Sequence, residues 1–319
     1  MVCSIVTSQG RRAVSDDDAG IGNESKLHTS SIMRSIANPI ERLSEQAYWD
    51  QVHARSKQQT LLRRWAAQVL SPSLFDFYYH GGYVTFLADE IIRPHIPTVP
   101  GHRPSILEIG SAPGTNIAKM SRRFGCDAWG VEYTQTGVDQ NRSVFVDHGF
   151  DPAHVVHADA FSRDFRERYK GHFDVVVSNG FIEHFSRPED AIDVHLELLR
   201  RGGLLIVSIP NLLGLNYLLH RFFNAPVLAM HNLEIMERQR FAELFEARSL
   251  VPKYCDYLGV FAPGLFNAPS RSLREVALEL FKLGSYPWDY LQRAIFGEAP
   301  PKLAWSSPYL LYVGQLETH

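Results

Sequence analysis

The chain has 319 residues, of which 45% are hydrophobic and 21% are charged, and its formal net charge is −3. This length and composition suit one large domain with additions, or two smaller domains. The near balance of 32 basic and 35 acidic residues argues against a nucleic-acid partner. Three widely spaced cysteines without a C-x-x-C pair argue against a disulfide framework or a zinc cluster and favour a reducing, cytoplasmic location.

No membrane span is expected, because the longest apolar stretch, residues 203–210, is far too short to cross a bilayer. Residues 1–35 are rich in Ser, Asp, Gly and Asn, and this composition predicts a disordered tail. Residues 36–103 follow with apolar positions at helical spacing and are predicted to form an N-terminal helical cap. The aromatic residues of this cap, namely Tyr48, Trp49 and those of the aromatic-rich segment 75–86, either pack the cap on the sheet or close over a ligand.

The sequence SILEIGSAPGTN, residues 105–116, organises the rest of the chain. Its apolar run is broken by Gly110 and Gly114 and resumes at helical spacing, which predicts a strand, a tight loop and a helix. Further strands are predicted at 126–132, 155–161, 174–178, 203–209, 254–261 and 309–313. Strands that alternate with helices predict an α/β fold with a doubly wound, mainly parallel sheet, whose ligands bind at the carboxyl ends of the strands.

The glycine loop fits a dinucleotide fingerprint poorly, because Ala112 and Thr115 occupy the second and third glycine positions counted from Gly110. A nicotinamide-dependent oxidoreductase is therefore the weaker alternative. The pattern E-x-G-x-x-x-G at Glu108, Gly110 and Gly114 instead resembles the first motif of the class I S-adenosylmethionine-dependent methyltransferases. A sulfonium ligand is cationic, so a carboxylate beside the loop would attract it.

A second acid, Glu132, follows Gly110 by 22 residues at the end of an apolar strand, a position suited to binding ribose hydroxyls. The resemblance implies the same role for Glu132, and it implies that Asp159 accepts a hydrogen bond from the adenine amine. It further implies a Rossmann-like, seven-stranded sheet with strand seven antiparallel, in a domain spanning residues 104–319, and S-adenosylmethionine as cofactor. The remaining cofactor contacts are expected from Ser111, Asn116, Tyr133, Ala160 and Asn179.

The loop after the fourth strand carries the candidate catalytic residues. Glu183 and His184 resemble the glutamate–histidine pair of quinone-ring O-methyltransferases, but Gly180 replaces a glutamate that helps bind magnesium there. We therefore expect no metal. His184 is the first candidate for a general base, since imidazole titrates near neutrality, and His231 is the second; the alternative is that these histidines are structural.

Residues 211–237 are apolar, aromatic and broken by glycine and proline, which predicts a lid or acceptor-binding insertion. Its character favours a bulky neutral acceptor, so the leading hypothesis is methyl transfer to a hydroxyl or amine of a small-molecule or sugar-containing metabolite. A non-catalytic, cofactor-binding homologue that acts as a partner protein is a further alternative. A second insertion, 262–306, is predicted to contain an amphipathic helix whose apolar face carries Leu273, Val276, Ala277, Leu280 and Phe281. This insertion either covers the substrate or makes a homodimer contact.

Overall fold

The computed structural model describes residues 40–56, 82–98, 101–268, 272–283 and 286–318. The predicted tail at 1–35 lies outside the described residues, as does most of the aromatic-rich part of the predicted cap. Within these ranges, no helix is long and apolar enough to cross a membrane.

A seven-stranded sheet forms the centre of the fold, with strand order β3-β2-β1-β4-β5-β7-β6. The first five strands pair in parallel, and β7 pairs antiparallel with both β5 and β6. This arrangement confirms the predicted doubly wound, Rossmann-like sheet with an antiparallel seventh strand. The strands are β1 (Ser105–Ile109), β2 (Asp127–Glu132), β3 (Val155–His157), β4 (Phe173–Asn179), β5 (Leu199–Pro210), β6 (Leu250–Leu258) and β7 (Tyr309–Leu316).

Helices connect the strands and cover both faces of the sheet. The described helices are α1 (Gln46–Ser56), α2 (Tyr83–Ile92), α3 (Thr115–Phe124), α4 (Gln135–His148), α5 (Arg163–Tyr169), α6 (Pro188–Leu198), α7 (Gly214–Asn224), α8 (Pro226–Ala229), α9 (Arg238–Glu246), α10 (Leu273–Leu283) and α11 (Tyr286–Phe296).

The core lies on both faces of the sheet, as the continuous apolar strands predict. Successive residues of β4 show the alternation: Val176 packs in one cluster with Leu107 and Leu205, whereas Val175 packs in the other with Ile106. All five of these side chains are fully buried.

Asp174 ties the start of β4 to the start of β1. Its carboxylate is buried, accepts hydrogen bonds from the Ser105 amide at 2.8 Å and the Ser105 hydroxyl at 3.0 Å, and pairs with His102 and Arg200. Burial by itself raises the pKa of Asp174, but these partners outweigh it and hold the pKa below its usual value. The charged carboxylate therefore stabilises the fold.

Several strand boundaries differ from the predicted ones. β3 ends at His157, four residues early, because the chain turns where Asp159 Oδ1 accepts a hydrogen bond from the Phe161 amide at 3.0 Å. β6 covers Leu250–Leu258 rather than 254–261, since Gly259 ends it with a φ of +79°. β5 begins at Leu199 and crosses an irregularity before regular pairing resumes.

The two predicted insertions contain helices that sequence spacing only partly indicates. Residues 211–237 form α7, α8 and a short 3-10 turn, and α10 and α11 lie within 262–306. The predicted apolar face of α10 is largely exposed, with Leu273 at 89%. Leu278 of the same helix is instead buried against Phe223 and Phe266, so this helix packs through a different side chain from those predicted.

Candidate active site

The glycine loop follows β1 at the carboxyl edge of the sheet. Gly110 and Gly114 both have positive φ, +70° and +94°, and α3 begins directly after Gly114. A Cβ at Gly110 would lie 3.0 Å from the Phe181 ring, and one at Gly114 would contact the Asn141 side chain. The loop thus needs glycine at both positions to stay this close to its surroundings.

Glu108 lies beneath this loop with only 2% of its surface exposed. Its Oε1 accepts a hydrogen bond from Asn179 Nδ2 at 2.8 Å, while Oε2 has no hydrogen-bond partner among the described residues. Burial raises the pKa of Glu108 to about 7, opposed by the hydrogen bond from Asn179 and by the nearby Ile117 amide. A buried acceptor without a donor suits a site that receives a cationic ligand.

Glu132 ends β2 and is 4% exposed. Its Oε1 accepts hydrogen bonds from the Thr134 amide and hydroxyl, each at 2.8 Å. Thr134 in turn caps α4 by accepting from the Gly137 amide at 3.1 Å. The position of the Glu132 carboxylate is therefore fixed by the helix start that follows it.

A small cavity of about 130 Å³ lies over the ends of β1, β2 and β4. Arg42 lines it: its guanidinium donates to Asp159 Oδ2 at 2.6 Å and lies 4.9 Å from the Tyr133 ring centroid and 5.6 Å from that of Phe161. The cavity lies below the range of about 300–1,000 Å³ usual for ligand pockets. A nucleoside-sized ligand therefore requires side chains that line this cavity to move.

Backbone pairing holds Arg42 over this cavity. The Leu43 amide donates to the His184 carbonyl at 2.7 Å, and the Ser186 amide donates to the Glu41 carbonyl at 3.2 Å. Arg42 itself forms an antiparallel bridge with Phe185. The segment before α1 is thus attached to the loop after β4.

The residues present fit S-adenosylmethionine. The unpaired Oε2 of Glu108 and the cradle at Gly110 and Gly114, which any Cβ would disturb, suit a cationic ligand that approaches the backbone closely. Of the predicted cofactor residues, six line the small cavity, namely Gly110, Glu132, Tyr133, Asp159, Ala160 and Asn179. Ser111 instead lies behind the loop, where its hydroxyl accepts a hydrogen bond from Asn141, and Asn116 faces the larger cavity described next.

A second cavity of about 910 Å³ adjoins the first. Trp49, Asn179, Gly180 and His184 line both cavities, so the two meet at the loop after β4. The walls of the larger cavity include Leu212 and Val227 of the first insertion and Leu265 of the second. Both insertions therefore contribute to the space on the far side of the junction.

All three predicted catalytic residues meet in this larger cavity. Glu183 Oε1 lies 3.9 Å from His184 Nε2, and the rings of His184 and His231 have centroids 4.4 Å apart. His220, which is 1% exposed, lines the same cavity, and neither of its ring nitrogens has a hydrogen-bond partner within the described ranges.

The first insertion is held against these residues by its backbone. The Asn232 amide donates to the Glu183 carbonyl at 2.7 Å, and the Met230 carbonyl accepts from His184 Nδ1 at 2.9 Å. The first insertion therefore lies directly against the loop after β4.

Burial sets the protonation states of this group. It lowers the pKa of His184 to about 3, helped by His231 and opposed by the hydrogen bond to Met230, and it raises the pKa of Glu183 to about 8. Burial also lowers the pKa of His231, against its hydrogen bond to Val227. His184 is consequently neutral at pH 7 and a weak proton acceptor by itself.

Sequence reasoning did not identify Arg42 or His53 as residues of the small cavity. Neither belongs to a motif, and both precede the glycine loop by more than fifty residues. For Trp49, the sequence left two alternatives, namely packing the cap on the sheet and covering a ligand. Trp49 lines both cavities and packs edge-on against His184, with ring centroids 4.9 Å apart.

Comparison with known proteins identifies the family. A family model described as a methyltransferase domain matches residues 76–251. A search of curated proteins finds no match. Similar solved structures include the MccD protein, with 12% identity, a TM-score of 0.49 and coverage of 73% of this chain and 97% of that one.

Two further similar structures come from named organisms. A geranyl diphosphate C-methyltransferase from Streptomyces coelicolor A3(2), in complex with Mg²⁺, geranyl diphosphate and S-adenosyl-L-homocysteine, is 16% identical, with a TM-score of 0.45 and coverage of 72% and 78%. A SAM-dependent methyltransferase from Archaeoglobus fulgidus is 15% identical, with a TM-score of 0.43 and coverage of 76% and 98%.

Proposed function

Because the chain belongs to the methyltransferase-domain family and is a class I S-adenosylmethionine-dependent methyltransferase, we propose that it methylates a hydroxyl or amine of a small-molecule or sugar-containing metabolite. The observation that carries this proposal is the junction of the two cavities at Asn179, Gly180 and His184. A ligand in the small cavity can there meet an acceptor in the large one.

S-adenosylmethionine, when bound, supplies an electrophilic methyl group on a sulfonium sulfur. Gly110 and Gly114 let the loop approach this cofactor, and Glu108 provides negative charge beneath it. We propose that Glu132 binds the ribose hydroxyls and that Asp159, once Arg42 moves aside, accepts a hydrogen bond from the adenine amine. Holding the two reactants in line is the main contribution of the protein to such a transfer.

On the acceptor side, the protonated nitrogen of His184 follows from one contact. Its Nδ1 faces the Met230 carbonyl, which can only accept, so Nδ1 carries the proton and Nε2 offers a lone pair. We propose that Nε2 accepts a hydrogen bond from the acceptor hydroxyl and orients it. The low pKa of His184 makes full proton removal by this ring alone unfavourable.

The larger cavity suits a bulky organic acceptor. Its volume of about 910 Å³ lies at the upper end of the usual range for small-molecule sites, and apolar side chains from both insertions form part of its wall. Its location between sheet edge and insertions favours a metabolite over a nucleic acid. We also propose a cytoplasmic location and, from the exposed apolar side chains of α10, a homodimer contact.

The proposal is tested in two steps. Calorimetry with S-adenosylhomocysteine, NAD and NADP comes first, and binding of a nicotinamide cofactor alone would contradict the assignment. Release of S-adenosylhomocysteine is then measured over a panel of hydroxylated metabolites, amines and glycosides. His184→Ala should lower turnover by ~10²-fold with nearly unchanged affinity for S-adenosylhomocysteine; unchanged turnover would remove His184 from the mechanism.

A further inference from the structure

Three potential metal ligands lie together at the junction side of the larger cavity. Glu183, His184 and His231 each offer one ligand atom, and these atoms lie within 4.8 Å of one another. They come from two separate segments, the 3-10 turn after β4 and the loop after α8, so the group is created by the fold. All three side chains line the same cavity.

Both histidines are held in the orientation that metal ligation requires. His184 Nδ1 lies 2.9 Å from the Met230 carbonyl, and His231 Nδ1 lies 2.7 Å from the Val227 carbonyl. Because a carbonyl only accepts, each Nδ1 bears the proton, and each Nε2 keeps a free lone pair. Histidines that bind metals are oriented in the same way, through a hydrogen bond from the opposite ring nitrogen.

The carboxyl group of Glu183 is buried without a hydrogen-bond partner among the described residues. Its side chain is 1% exposed. A buried, unpaired carboxylate costs several kcal/mol unless a proton or a cation compensates its charge. Two neutral imidazoles beside it supply lone pairs rather than positive charge, so the group as a whole has donor atoms and no cation.

We propose that Glu183, His184 and His231 bind one divalent transition-metal ion of the zinc class. Two imidazole nitrogens and one carboxylate oxygen suit Zn²⁺, Co²⁺ or Ni²⁺, whereas Mg²⁺ and Ca²⁺ prefer oxygen ligands throughout. Ligand atoms around a tetrahedral zinc ion lie about 3.3 Å apart. Glu183 Oε1 and His184 Nε2, at 3.9 Å, therefore need only a small side-chain adjustment.

Such an ion would deepen the proposed function. With the ion bound, His184 Nε2 is one of its ligands, so the ion rather than this nitrogen would orient the acceptor oxygen. Only this role of the ion rests on the proposed function. Three protein ligands leave a coordination position for an acceptor oxygen, as in catalytic zinc sites. Coordination lowers the pKa of a bound hydroxyl, and this would compensate for the weak basicity of His184.

The test measures metal binding without cofactor or acceptor, so it is independent of turnover. The full chain is freed of metal with a chelator and titrated calorimetrically with Zn²⁺, Co²⁺ and Mg²⁺. We expect one Zn²⁺ per chain, visible absorption bands with Co²⁺, and no comparable Mg²⁺ binding. Glu183→Gln and His231→Gln should each weaken Zn²⁺ binding by ~10²-fold.

His195→Gln is the matched control. Like His231, His195 donates from Nδ1 to the carbonyl four residues earlier, Ala191, at 2.7 Å, and it is fully buried, but it lies outside the cluster. This variant should retain Zn²⁺ affinity. Circular dichroism establishes that each variant is folded.

Nitrogen-15 NMR of the imidazoles in the unaltered chain identifies the ligands without any substitution. Zn²⁺ should shift two histidine Nε2 resonances, which selective labelling assigns to His184 and His231. Absence of stoichiometric Zn²⁺ binding, or shifts confined to other histidines, overturns the proposal. If Zn²⁺ binds as expected but no acceptor is methylated, the metal site stands and the proposed function fails; methylation without Zn²⁺ binding gives the reverse result.

Discussion

Replacement of Glu108 by Gln should stabilise the protein at alkaline pH while weakening its affinity for S-adenosylmethionine. Glu108 is buried, and one of its oxygens has no hydrogen-bond partner in the described part of the chain. Burial raises its pKa to about 7 in the folded protein, from 4.5 for the exposed group. Folding therefore opposes ionisation, and the unfolded chain ionises first as the pH rises.

The magnitude follows from this difference in pKa. The free energy of unfolding falls as the pH rises from about 4.5 to about 7, by up to ~1.4 kcal/mol per pH unit. The total loss at pH 8 is ~3 kcal/mol. Gln cannot ionise and avoids this loss. Its amide N–H would lie where the unpaired oxygen lies now, at a cost of about 1 kcal/mol. We expect a net gain of roughly 2 kcal/mol at pH 8, which vanishes near pH 5.

Urea unfolding of the two proteins at pH 5, 6.5 and 8 measures this gap. Calorimetry at pH 8 and pH 6.5 should show that the affinity of the unaltered protein for S-adenosylmethionine falls roughly fourfold, because the ionised fraction of Glu108 falls by that factor for a pKa of about 7. The variant should show no such fall. S-adenosylhomocysteine, which lacks the sulfonium charge, should respond less. A stability gap that is independent of pH would refute the reasoning.

Three further predictions follow from described contacts. The effect of Asp174→Asn on stability should depend on pH in the opposite sense to that of Glu108→Gln. The pKa of Asp174 is lowered in the folded protein, so we expect the variant to lose ~2 kcal/mol of unfolding free energy at pH 7. Urea unfolding should show that this loss shrinks as the pH falls below about 4. Gly114→Ala should destabilise the protein by more than the ~1–3 kcal/mol cost of its positive φ, because the new methyl group would contact Asn141. Gly149 is the control: its φ is +77° and a Cβ there would have no atom within 4 Å, so Gly149→Ala should show the backbone cost alone. Equal losses in the two variants would exclude a contribution from the Asn141 contact. Hydrogen exchange across 211–237 should slow when S-adenosylhomocysteine and acceptor are both present, and slow exchange in every state would identify fixed core rather than a lid.

The sheet and its glycine loop were predictable because their signals are local. The apolar run before Gly110, the carboxylate at Glu108 and the acid at the end of β2 all lie within short windows of sequence, and alternation of strands and helices determines the topology. Strand ends were less predictable, since β3 ends where the side chain of Asp159 bonds to the backbone two residues later.

The assembly of the site depends on contacts that no sequence window contains. Arg42 lies 117 residues from its partner Asp159, and His231 approaches His184 only because the first insertion folds back onto the loop after β4. Periodicity predicts which face of an element is buried, but it does not predict which distant side chains meet.

The ion pair between Arg42 and Asp159 has a consequence for the salt dependence of cofactor binding. Adenine is neutral, so its entry would break an attraction between opposite charges without replacing it by another. Added salt screens that attraction and raises the fraction of molecules in which the guanidinium has left the cavity. Apparent affinity scales with that fraction. By this effect alone, a ligand whose adenine takes the place of the Arg42 guanidinium would bind more tightly at moderate ionic strength than in dilute buffer, because at this position the protein supplies its own competing cation.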